Sequence, residues 1–144
     1  MSSEELELGP VDIVVIGFPP DAPRTGESIP LVLDLVDRGI IRILDVMLIE
    51  KDAGGTVAEL EINQLGAHVA VFDGAGTGML GEEDASVAGE GLEPGEAAVL
   101  LCFENSWAAP FVTSVMRNGG RVLGFERIPA EDLMETLAAL EAAE

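Results

Sequence analysis

Few residues in this chain carry the functional groups that chemistry needs, so their spacing is worth reading first. There is one histidine, one cysteine, one tryptophan and no tyrosine in 144 residues. The densest polar cluster is in C-F-E-N-S-W-A-A-P-F (102–111), where Glu104, Asn105, Ser106 and Trp107 directly follow an apolar run. A carboxylate at a strand end beside a helix N-terminus is suited to acid–base chemistry or to holding a small ligand. The same residues also read as the joint between a strand and a helix. Ser106 or Asn105 would then cap the helix, Trp107 would pack at its start, and Pro110 would fall in its first turn.

Other candidate chemistries are thinner. Gly76-Thr77-Gly78-Met79-Leu80-Gly81 matches G-x-G-x-x-G after the strand-like H-V-A-V-F-D, the ordering of a dinucleotide site. Glu82, Glu83 and Asp84 follow it directly and would repel a pyrophosphate, so a tight glycine loop accounts for it better. His68 has no second histidine to join it and no Ser or Cys placed beside it. That pattern fits neither a transition-metal site nor a nucleophile–base pair. The 82–84 acids lack the alternating pattern of a calcium loop. No catalytic residue, cofactor or metal is expected.

The cations are few enough for their positions to matter. Arg38 and Arg42 flank one helix–strand corner, and Arg117 and Arg121 flank another. They would line one edge of the fold, where they could meet acidic faces of another copy. Balancing the C-terminal ends of two helices explains them equally well.

Composition bounds the rest. The net charge is −20, from 27 acidic and 7 basic residues. Such a surface repels nucleic acid and anionic lipid. Most of the acids are dispersed, as solvated faces require. Hydrophobic residues make up 48% of the chain and mean hydropathy is +0.34, which excludes wholesale disorder. A lone Cys102 in an apolar run reads as a small buried hydrophobe in a reducing cytoplasm. The first ten residues are acidic and have no apolar h-region, so no signal peptide is expected. No apolar run is long enough to span a bilayer.

The elements that must position these residues read as one domain in five parts. Residues 1–10 are an acidic tail. Residues 11–62 hold the strand V-D-I-V-V-I-G-F, a helix capped by Ser28 with Pro30 in its first turn, and the strand 40–50. The turn K-D-A-G-G then leads to the strand 56–62, making a hairpin. Residues 63–96 hold eight glycines and a short helix opened by Glu82-Glu83-Asp84. Residues 97–128 repeat the first plan: strand 97–103, helix 106–118 and strand 121–128. Residues 129–144 form a last helix with Leu133, Leu137 and Leu140 in a stripe.

Shifting the chain by 80 residues aligns Pro30 with Pro110, Val32 with Val112, Gly39 with Gly119 and Ile43 with Leu123. Two β-α-β halves predict an α+β, ferredoxin-like sandwich with its helices on one face. Strand 56–62 would extend the sheet at an edge. The C-terminal helix would be an addition.

G-P-V-D-I-V-V-I-G-F, I-R-I-L-D-V-M-L-I-E-K-D, L-E-P-G-E-A-A-V-L-L-C-F-E-N-S-W-A and E-R-I-P-A-E resemble a family of short acidic actinobacterial proteins that carries a domain-of-unknown-function label. That family is distantly similar to a larger bacterial group with a glycine-rich, membrane-associated segment between the same two halves. The resemblance implies the two-half fold and a bacterial cytoplasmic origin, with no reaction and no cofactor. Here the middle segment is short and is cut by Asp73 and by the acids at 82–84, so stable insertion in a membrane is not expected. Residues 63–81 are expected to pack on the sheet or against another copy.

Two functions follow. The leading one is a non-enzymatic module that self-associates or binds a partner protein, through an open strand edge and apolar segments. The alternative is a small-ligand binding protein or acid–base enzyme with its site around Glu104 and Trp107.

Overall fold

A computed structural model of the chain describes residues 8–22, 27–61 and 77–143. The architecture is α+β. A four-stranded, fully antiparallel sheet has the order β1-β4-β2-β3, from β1 (Val11–Phe18), β2 (Arg42–Lys51), β3 (Val57–Leu60) and β4 (Ala97–Glu104). The helices are α1 (Ile29–Asp37), α2 (Glu82–Glu90), α3 (Ala109–Arg117) and α4 (Ala130–Ala142).

The hairpin forms where the sequence places it. Asp52 Oδ1 accepts the N–H groups of Gly54 and Thr56, both at 2.9 Å. Gly55 takes φ +88°, which side chains disfavour. β3 then lies at one edge of the sheet, as expected.

The central strands β2 and β4 are largely aliphatic and hold most of the buried residues of the sheet. One face holds the core: Met47 and Ile49 of β2, and Ala98, Leu100 and Cys102 of β4, closed over by Leu80, Leu92 and the helix α2. This is where the fold departs from expectation. The helix that packs across the sheet comes from the glycine-rich connector, not from either repeat unit. The reason lies in its residues: Gly89 lets α2 approach Val57 so closely that a Cβ there would collide with it. Asp84 accepts the Gly81 N–H at 2.9 Å, so the acids at 82–84 do open the helix.

The repeat is real in local structure and incomplete in packing. Pro30 and Pro110 each occupy the first turn of their helix. Gly39 and Gly119 each follow the helix end at positive φ, +71° and +84°. The second unit has no final strand, however. Residues 121–129 belong to no sheet, and every residue from Met116 to Ala143 is exposed. Two glycines precede this segment, Gly124 interrupts it, and no strand edge pairs with it. Without that strand, the ferredoxin-like order is not reached.

The expected side-chain caps are also absent. Ser28 is helical in its own backbone and makes no cap bond. Residues 106–108 form a 3-10 turn, and α3 begins only at Ala109. Asn105 and Ser106 are directed elsewhere.

Candidate functional site

Glu104 ends β4 and is 3% exposed. A buried carboxylate must be hydrogen-bonded or ion-paired. Its Oε2 accepts the Gly9 N–H at 2.7 Å. Its Oε1 accepts the Ser106 hydroxyl at 3.2 Å and pairs with Arg42 Nε at 3.2 Å. Arg42 is also its cross-strand partner on β2, as Val11 is on β1. Three chain segments therefore converge on one carboxylate.

Asn105 completes the knot. Its N–H donates to the Pro10 carbonyl at 2.8 Å. Its side-chain amide donates to the same carbonyl at 3.0 Å and to Asp12 Oδ2 at 2.8 Å. Its own Oδ1 accepts the Trp107 indole N–H at 3.3 Å. The Trp107 backbone N–H donates to Ile40 at 3.1 Å. A Cβ on Gly9 would strike the Asn105 carbonyl, so only glycine lets these strands approach so closely.

Glu104, Asn105, Ser106, Trp107 and Arg42 are thus brought together. The other candidate cations are not. Arg38 pairs with Asp34 one turn back on α1 at 3.3 Å. Arg117 is the last residue of α3. Arg121 lies in the exposed segment that follows and has no ion pair among the described residues. His68 and Gly76 fall outside the described residues, so the dinucleotide-like motif is seen only from Thr77 onward. There Gly78 turns at φ +78° and Leu80 enters the core.

Beside the knot runs a groove of about 380 Å³, lined by Asp12, Asn105, Trp107 and residues 125–128. Trp107 is 57% exposed on it. Glu104 is not part of its lining. The carboxylate proposed for acid–base work is sealed beneath, with its oxygens occupied by protein donors, while the aromatic ring faces outward.

Three residues that matter here carry no motif. Asp12 links Asn105 to Arg127, whose Nη2 lies 3.0 Å from Asp12 Oδ2. Asp45 is buried beside an irregularity in β2, where it accepts the Leu80 N–H at 2.9 Å and the Val46 N–H at 3.0 Å. Lys51 caps the end of α2 by donating to the carbonyls of Gly89 and Leu92 at 3.1 and 3.0 Å. A single charge inside an apolar strand, as in V-D-I and L-D-V, is the signal that would have found both aspartates. Such a charge needs a dedicated partner. Burial raises the Cys102 thiol pKa, with Asp45 and then Asp84 adding to the shift, so the thiol stays protonated.

Among the described residues, no group of three or more His, Cys, Asp or Glu side chains is gathered as a metal site. No helix among them is long and apolar enough to cross a membrane. A family model described as "Family of unknown function (DUF6325)" matches residues 7–143, and the chain belongs to that family. No curated protein and no solved structure matches it.

Proposed function

We propose that this member of a family of unknown function is a non-enzymatic α+β module that works by self-association. One observation carries the reading: from Met116 to Ala143 no residue is buried, although the segment includes Phe125, Ile128, Leu133, Met134, Leu137 and Leu140. Single exposed apolar residues are ordinary, but a continuous run of this length marks a surface meant to be covered. The outer strand β1 adds to it, with Ile13, Val14, Val15 and Ile16 each 39–49% exposed. We place the assembly in a reducing cytoplasm, where a lone buried cysteine fits, and away from nucleic acid and anionic lipid, which a charge of −20 repels.

Light scattering across a concentration series tests this. Dimers or larger assemblies at micromolar chain support self-association. A constant monomer mass overturns it. Salt separates the driving forces. Pairing of the Arg38, Arg42, Arg117 and Arg121 edge with acidic faces would weaken as salt rises. Apolar association between two strongly acidic copies would strengthen, because screening removes their repulsion.

The second reading is a small-ligand site in the groove, favoured by the outward face of Trp107 beside Arg127. The sole tryptophan makes its fluorescence a clean reporter. A saturable change with a small anionic aromatic probe, lost in Arg127→Ala, would support this reading. No change would remove it.

A further inference from the structure

We propose that the groove at Asp12, Asn105 and Trp107 receives an arginine side chain from a basic partner protein, and that Arg127 fills the same place within the chain until the partner displaces it. The inference does not rest on self-association. It also reverses the part Arg127 plays in the anion reading, from receptor to competitor.

The groove is built to hold a guanidinium. Asp12 supplies the carboxylate, and the buried Asn105 fixes it by donating its side-chain amide to Oδ2 at 2.8 Å. Asn105 Oδ1 in turn accepts the Trp107 indole N–H at 3.3 Å, which holds the ring at the groove wall. A fixed carboxylate beside an exposed indole suits a planar cation. The N–H fork meets the oxygens, and the delocalised plane stacks on the ring. A guanidinium already sits there, since Arg127 Nη2 lies 3.0 Å from the same Oδ2. Glu126 also lines the groove, and the charge of −20 draws cations toward it.

The contact within the chain is weak enough to yield. The Arg127 side chain is 76% exposed and that of Asp12 is 27% exposed. A pair this open is screened by solvent and biases an equilibrium by about fivefold or less. Both contacts to Asp12 fall on one oxygen, Oδ2, whereas a guanidinium on an unconstrained chain takes both oxygens in a fork. Every residue from 121 to 129 is exposed, so release of Arg127 uncovers no core. The occupant is a basic protein rather than a second copy, because this chain has only 7 basic residues against 27 acidic ones. A lysine is a poorer fit, since its ammonium has neither the fork nor the stacking plane.

The probe is acetyl-Gly-Arg-Gly-amide, with its lysine counterpart as the control. Each is titrated at constant ionic strength and followed by the fluorescence of the sole tryptophan. The arginine peptide should give a saturable change, and the lysine peptide a much weaker one. Arg127→Ala should tighten binding of the arginine peptide about twofold to fivefold, because the competitor is gone. Arg121→Ala makes the same change in charge outside the groove lining and should leave the affinity as it was. Asp12→Asn should abolish the response. No saturable change, an equal response to both peptides, or unchanged or weaker binding in Arg127→Ala overturns the proposal. Arg127 lies on an exposed segment, so its variant decides the matter even if Asp12→Asn disturbs the knot.

Discussion

The two ends of the strand-to-helix joint at 104–109 belong to different kinds of structure. On one side, β2 and β4 share a dry face under α2, and the polar groups at the joint are all occupied. On the other, residues 116–129 and α4 project with their apolar side chains uncovered among the described residues. Both regions carry aliphatic side chains at regular spacing. What separates them is the presence of a second surface. Hydrophobic patterning specifies that a face must be covered, and tertiary contacts decide whether the same chain covers it. In the β2–β4 region one chain suffices. In the C-terminal arm it does not.

The largest effect should come from cutting the same size of side chain on each side of that boundary. Ile49 is fully buried, and Ile49→Ala should destabilise the fold by about 2–5 kcal/mol at any protein concentration. Leu137→Ala should cost almost nothing in dilute solution and progressively more as assemblies form. Chemical denaturation at two concentrations differing a hundredfold reads both. If Leu137→Ala is equally costly at both, the arm is covered within one chain and the contrast fails.

A second test concerns the joint itself. Glu104→Gln keeps the shape but loses the charge that Arg42 and the Gly9 N–H use. Leaving buried donors poorly matched costs about 1–3 kcal/mol. Because Arg42 is partly solvated, we expect the lower half of that range. The loss should appear in the denaturation midpoint with assembly state unchanged. A shift in assembly state with no loss of stability would instead place Glu104 at an interface.

Cys102 gives a smaller, pH-dependent effect. Its folded pKa is raised above the ordinary cysteine value of about 8.5. The unfolded chain therefore loses its thiol proton first as pH rises. The contribution to stability is whole below the unfolded value and declines as pH climbs toward the folded one. Denaturation midpoints should fall between pH 8 and pH 10, and Cys102→Ala should flatten that part of the decline. Disulfide reagents at pH 8 should label the native thiol far more slowly than the unfolded one.

How much of this was legible in the sequence follows the same boundary. The strands at 11–18, 42–51 and 97–104 are largely apolar runs, the hairpin has its Asp and glycines, and α1 and α3 have proline starts and glycine stops. These are local signals, and they were honoured locally. The strand at 121–128 has an equally good local pattern and no sheet partner, because strand formation needs a neighbour that pattern alone does not supply. The importance of α2 was hidden for the opposite reason. Its apolar content is low, and it packs through the small residues Ala85, Ala88 and Gly89, with Lys51 of β2 holding its end, rather than through large aliphatic side chains. At the candidate site, the cluster 104–107 and Arg42 were visible as residues. Their convergence on Gly9, Pro10 and Asp12 was not, since it joins positions nearly a hundred residues apart.

The smallest expected effect sharpens the comparison from the solvent side. Arg38 and Asp34 form an ion pair one helical turn apart on α1, and both side chains are about 60% exposed. Exposed pairs at this spacing are worth about 0.3–0.5 kcal/mol, and salt weakens them further. Arg38→Ala should therefore barely move the denaturation midpoint of an isolated chain. It also removes one of seven basic residues from a protein of charge −20, which adds to repulsion between copies. If assembly is driven by apolar cover, the dissociation constant should rise modestly at low salt and return to the unmodified value near 0.5 M salt, where the Debye length is only about 4 Å. If Arg38 instead docks on an acidic face of another copy, the loss at low salt will be many-fold and will exceed that of Lys51→Ala, which changes charge equally but is held against α2 by its own bonds. Comparing these two variants separates a charge effect spread over the whole surface from a specific contact.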